Sequence, residues 1–73
     1  MITAKQSRMA RVALDWTTTD LALQAGVGRA TVARFELGQP VADESVAKIR
    51  NAMEASGVAF SSTHDRVTVT APA

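Results

Sequence analysis

Residues 17–38 read TTTDLALQAGVGRATVARFELG, and the fold is decided there. Thr17 offers a hydroxyl as N-cap with Asp20 three residues on, an Asp variant of the capping box. A short helix is predicted over Thr18–Ala25. Gly26 ends it, because glycine takes a left-handed backbone without steric cost. A second short helix follows from Arg29 to about Glu36, with Val32 and Phe35 inward and Arg29, Thr31 and Arg34 on the other side. Two helices joined so tightly are expected to cross steeply, which needs a small residue at the contact, and Ala22 supplies it. Leu21, Val27, Val32 and Phe35 are spaced to fill the core beneath. The pattern is a helix-turn-helix, whose second helix is the right size for the DNA major groove, about 12 Å wide.

Working outward, Thr3–Leu14 holds good helix formers, with Ile2, Gln6, Met9, Ala10, Ala13 and Leu14 near one side. Asp15 and Trp16 interrupt it, and Trp16 reads as a plug between the first two helices rather than a base-stacking platform. Downstream, Gly38-Gln39-Pro40 is a turn. Asp43 is expected to cap a fourth helix in which Val46, Ile49 and Met53 recur at helical spacing, and Gly57 closes it. The period then changes to two. Val58 and Phe60 alternate on one side, then Val67 and Val69 on another, across residues 61–65, which predicts a β-hairpin. The chain is thus mainly α, with a helical domain over 1–57, a hairpin over 58–70 and a frayed terminus over 71–73.

The chain has 73 residues, 8 Lys and Arg against 7 Asp and Glu, 47% hydrophobic residues and no cysteine. This is the composition of one small folded domain. Without cysteine there is no disulfide framework, thiolate zinc site, iron–sulfur cluster or thiol nucleophile. His64 is the lone histidine, which removes a His-rich metal site as well; neither metal nor cofactor is expected. No apolar run approaches the roughly 18 residues of a membrane span. The first 16 residues lack an apolar signal region, so a cytoplasmic protein with no membrane partner is expected. Charge is uneven: residues 1–39 hold five cations and three acids, +2, whereas residues 40–73 hold three and four, −1. A core this small supplies about 3–5 kcal/mol, which makes a second copy the expected source of further stability.

Arg11 and Leu14 in the first helix, W-T-T-T-D-L-A at 16–22, A-G-V-G-R-A-T-V at 25–32 and F-E-L-G at 35–38 resemble the lambda-repressor/Cro-like helix-turn-helix regulators, also called the XRE type. The resemblance covers roughly residues 3–56. It implies a four-helix Cro/repressor-like domain ahead of the hairpin, with DNA contacts at the start and outer face of the third helix, about 29–37. Arg29 and Arg34 are then the base readers, since a guanidinium donates two bonds to guanine O6 and N7, worth about 1–3 kcal/mol of discrimination. Ala30 is placed to meet a thymine methyl, and Thr31 to reach a base or a phosphate. Thr18, Gly28 and Gln39 fall where DNA backbone contacts are expected, with Lys5 and Arg8 as more distant electrostatic help. The resemblance also implies an ion pair of Arg11 with Glu36, which makes Arg11 structural rather than a phosphate ligand. Two positions depart from the family. Thr18 stands where glutamine is frequent, and Gly28 where serine or threonine is common, so the third helix has a weaker cap whose N–H can still face a phosphate.

No enzyme is expected. His64, Asp65, Ser61 and Ser62 share a polar turn, but an exposed hairpin tip neither orients nor desolvates a triad. Asp43 and Glu44 read as helix N-terminal charges. A lone hairpin is marginal in water and its open edge invites pairing. Phe60, Val67 and Val69 are therefore candidate dimerisation residues, and the hairpin has a second use in folding back on the first and fourth helices. The expected function is a homodimeric, sequence-specific regulator of transcription, acting as a repressor on an inverted-repeat operator in double-stranded DNA. Activation through RNA polymerase, for which Asp20 is available, stays open. So do an antitoxin or mobile-element control protein and a protein-interaction module that binds another regulator. The small net charge favours the last, and Arg29 with Arg34 opposes it.

Overall fold

Four helices and two strands follow one another in the computed structural model: α1 (Ala4–Ala13), α2 (Thr18–Ala25), α3 (Arg29–Glu36), α4 (Asp43–Ala55), β1 (Ala59–Thr63) and β2 (Arg66–Thr70). The structure describes residues 1–63 and 66–71, with the side chains of 62, 63, 66 and 67 left aside. The small, mainly helical domain with a C-terminal hairpin is as the sequence predicts. No helix of the described residues is long and apolar enough to cross a membrane.

The helix starts follow from side chains. Thr3 accepts from the Gln6 N–H at 3.1 Å while the Gln6 side chain accepts from the Thr3 N–H at 2.9 Å, a full capping box on α1. Thr17 and Asp20 make the same pair of bonds on α2, at 3.0 and 2.9 Å. At the start of α4 the expectation is corrected. Ala42, at φ −61° and ψ 140°, is the N-cap, and Asp43 is already helical; no side chain caps this end. Asp43 lies one residue too far along, where it contributes its charge to the first turn instead.

The core joins Ile2, Ala10, Leu21, Ala22, Val32, Phe35, Val46, Ile49, Met53 and Val58, with Trp16 and Val27 half-buried beside it. α2 lies against both α3 and α4. Ala22, buried, leaves room for that approach. On α1 the buried stripe is narrower than expected: Gln6 and Ala10 are inside, whereas Met9 and Ala13 face outward and Ser7 is fully buried. The reason is a polar contact from Ser7 to α3, described below.

In the hairpin, Phe60 stands opposite Val69 and Ser62 opposite Val67. Directly opposed residues of an antiparallel pair share a face, so Phe60 and Val69 are on one side of the sheet and not on different ones. The ladder also extends to Thr63 and Arg66, taking in part of the stretch expected as turn. β2 lies on α1, Phe60, Val69 and Ala71 pack against the core, and the Gln6 amide donates to the Ser61 carbonyl at 3.3 Å. The hairpin thus folds back on its own domain, and Ala71 belongs to the packed body rather than to a frayed end. His64, Asp65, Pro72 and Ala73 lie outside the described residues, as does the side chain of Val67.

Candidate nucleic-acid interface

α3 buries Val32, Phe35 and Glu36 and turns its other side to solvent. Arg29, Ala30, Ala33 and Arg34 are exposed and Thr31 is half-buried. A helix of 3.6 residues per turn with 32, 35 and 36 inward has 30, 33, 34 and 37 outward. Gly28 is the N-cap at φ −71° and ψ 148°, with no side-chain cap bond. Its carbonyl accepts from the N–H groups of Thr31 and Val32. The Arg29 and Ala30 N–H groups are thereby left directed out of the helix start, where an anion is favoured.

The one acid of α3 is removed from that surface. Glu36 is 6% exposed. Its carboxylate accepts from Arg11 Nε at 3.0 Å (Oε1) and 3.2 Å (Oε2), and from Ser7 Oγ at 2.9 Å (Oε2). Arg11 also donates from Nη1 to the Trp16 carbonyl at 3.1 Å, and Arg8 Nη1 donates to the Glu36 carbonyl. The ion pair expected from the resemblance is thus present and joins α1 to the end of α3. Ser7 was not anticipated in it, although its spacing from Ala10 and Leu14 puts it on their side of the helix. Among the described residues no buried side-chain nitrogen or oxygen is left without a partner.

The cations divide clearly. Arg11 is held by Glu36, Lys48 lies 3.6 Å from Glu44, and Arg50 lies 3.2 Å from Glu54. Arg8 is occupied by a carbonyl, a structural task the sequence did not reveal. Lys5, Arg29 and Arg34 are exposed and have no acidic partner within bridging distance among the described residues. Thr18 is half-buried at the first position of α2, and Gln39 is exposed beyond Gly38, its N–H bonded to the Arg34 carbonyl at 3.0 Å.

A second surface runs along α1. A shallow groove of about 680 Å³ is lined by Arg8, Met9, Arg11, Val12, Ala13 and Val69, and Val12 is 65% exposed. It follows from the outward turn of Met9 and Ala13.

No model of a known protein family matches this chain, and a search of curated proteins likewise finds no match.

Proposed function

We propose that this protein is a Cro/repressor-like regulator that binds specific sites in double-stranded DNA, inserting α3 in the major groove. The observation that carries the reading is the composition of α3's exposed side: two arginines with no acidic partner among the described residues, two alanines and no acid, with Glu36 drawn away by Arg11 and Ser7. Arg29 and Arg34 read guanine edges, Ala30 meets a thymine methyl, and Thr31 reaches a base or a phosphate. Thr18, the N–H groups above Gly28, Gln39 and Lys5 serve the phosphates. Arg8, tied to the Glu36 carbonyl, contributes field more than contact. Each molecule measures 29 × 25 × 17 Å, so two side by side fit half-sites one turn, about 34 Å, apart. That spacing accommodates the homodimer we propose, which occupies an inverted repeat and represses by occlusion.

Selection of random duplex DNA by the purified protein tests the proposal, with Arg29→Ala/Arg34→Ala as control. Enrichment of an inverted repeat that the control loses is the expected result. A single unpaired half-site would retain the DNA reader and reject the dimer. No enrichment at low salt from a folded sample would reject DNA binding. The groove along α1 favours a second reading for that outcome, a module that binds another regulator through Met9, Val12 and Val69.

A further inference from the structure

Leu37 is 74% exposed at the end of α3, and no part of the described chain covers it. It is the C-cap, at φ −87° and ψ 0°, and its N–H donates to the Ala33 carbonyl at 3.1 Å, so it continues the helical line. That line is the outward one: Ala30, Ala33 and Leu37 follow at three and four residues, with Arg34 beside them. Ala30 to Leu37 spans about 10.5 Å at 1.5 Å per residue, close to the major groove's width of about 12 Å. The alanine methyl groups let the helix axis approach a surface closely, and the longer Leu37 side chain then reaches that surface first.

The charges around Leu37 indicate what the surface is. Arg29 and Arg34 flank the line with no acidic partner among the described residues, and Glu36 is buried away from it. Leu37 lies beyond Arg34 and about 12 Å along the axis from Arg29, and an apolar group at the end of such a cationic helix face is complementary to a polyanion that carries an apolar group of its own. The floor of the major groove has one such group, the thymine 5-methyl. We infer that Leu37 is a specificity-determining residue, reading a thymine 5-methyl next to the base pair that Arg34 contacts. The inference rests on the DNA-binding reading and extends it to a residue placed outside the arginine contacts.

Deoxyuridine lacks only that methyl, which gives a direct test. In the duplex recovered by selection, each thymine is replaced in turn by deoxyuridine, and affinity is read by fluorescence anisotropy at fixed salt. At the thymine next to the base pair that Arg34 contacts, distinct from the one Ala30 meets, the replacement is expected to weaken binding about fourfold, the worth of one buried methyl-sized group. Leu37→Ala, a surface change that leaves the core intact, should bind the thymine duplex more weakly and show no further penalty with deoxyuridine at that position. A deoxyuridine series in which no thymine penalty disappears in Leu37→Ala overturns the role of Leu37 while leaving DNA binding in place; a penalty that persists at the Ala30 thymine alone does not. A folded protein that selects no DNA overturns both.

Discussion

At the scale of single residues, the Arg11–Glu36 contact is the one on which the candidate surface depends. The Glu36 side chain is 7% exposed and that of Arg11 19%. A carboxylate so placed is tolerable because Arg11 Nε and Ser7 Oγ give it three hydrogen bonds, and removing one partner leaves a charge that water reaches poorly. Arg11→Ala is expected to cost about 2–4 kcal/mol, against about 3–5 kcal/mol for the whole of a domain this size. Urea unfolding followed by helical circular dichroism should therefore show a midpoint displaced almost to zero denaturant. Arg11→Lys should not restore it, because a single ammonium does not span the Glu36 carboxylate and the Trp16 carbonyl as the guanidinium does. DNA binding by Arg11→Ala should fall only in proportion to the unfolded fraction. A variant that is fully folded and has lost binding would make Arg11 a phosphate ligand instead.

At the scale of elements, the helix ends explain both what was legible in the sequence and what was not. α1, α3 and α4 all finish with the same pair of bonds, for example Trp16 N–H to Arg11 carbonyl and Asp15 N–H to Val12 carbonyl on α1. Gly38 and Gly57 supply the left-handed residue on α3 and α4, at φ 82° and 97°, and Asp15 supplies it on α1 at φ 58°. Those residues and the two threonine caps are local signals, so α1 to α3 end where the sequence says. The start of α4 carries no such signal. Ala42 already has N-cap geometry but no acceptor, so Ala42→Ser should stabilise the domain by about 1 kcal/mol. Asp43→Ala should cost only the loss of a first-turn charge, about 0.3–1 kcal/mol. Urea midpoints of the two variants check the assignment, and a larger loss from Asp43→Ala than the gain from Ala42→Ser would return the cap to Asp43. What local signals do not encode is pairing over distance. The shared face of Phe60 and Val69 depends on register across the turn, and Ser7 is buried by a carboxylate 29 residues away. On the candidate surface, the outward placement of Arg29 and Arg34 was legible from helical spacing, and the role proposed for them came from the resemblance. The tether on Arg8 was not, because it ends on a backbone carbonyl that no sequence pattern marks.

At the scale of the whole molecule, the charge that matters is the charge left over. A formal net charge of +1 says little about a polyanionic partner, but it is an average over pairs already made. Arg11, Lys48 and Arg50 are matched by Glu36, Glu44 and Glu54, and Arg8 serves a carbonyl. Lys5, Arg29 and Arg34 remain free among the described residues whose side chains are placed. Each cation that neutralises a phosphate releases counterions, and the logarithm of the binding constant falls with that of salt at about −0.9 per contact. With three such cations among the described residues in each copy of the proposed dimer, the slope is expected to be no steeper than about −5. Affinity for the selected duplex, measured by anisotropy across a salt series, reads it directly. Arg29→Ala and Arg34→Ala separate the two uses of a guanidinium. A base-reading arginine, once removed, costs affinity for the selected site far more than for random DNA and changes the slope little. A phosphate-binding one weakens both alike and makes the slope shallower by about one. Lys5→Ala should behave in the second way. A slope well beyond about −5 would mean that further cations reach the phosphates, either Lys48 and Arg50 from their exposed pairs with Glu44 and Glu54 or Arg66, whose side chain lies outside the described residues. Lys48→Ala, Arg50→Ala and Arg66→Ala would tell them apart by which one makes the slope shallower.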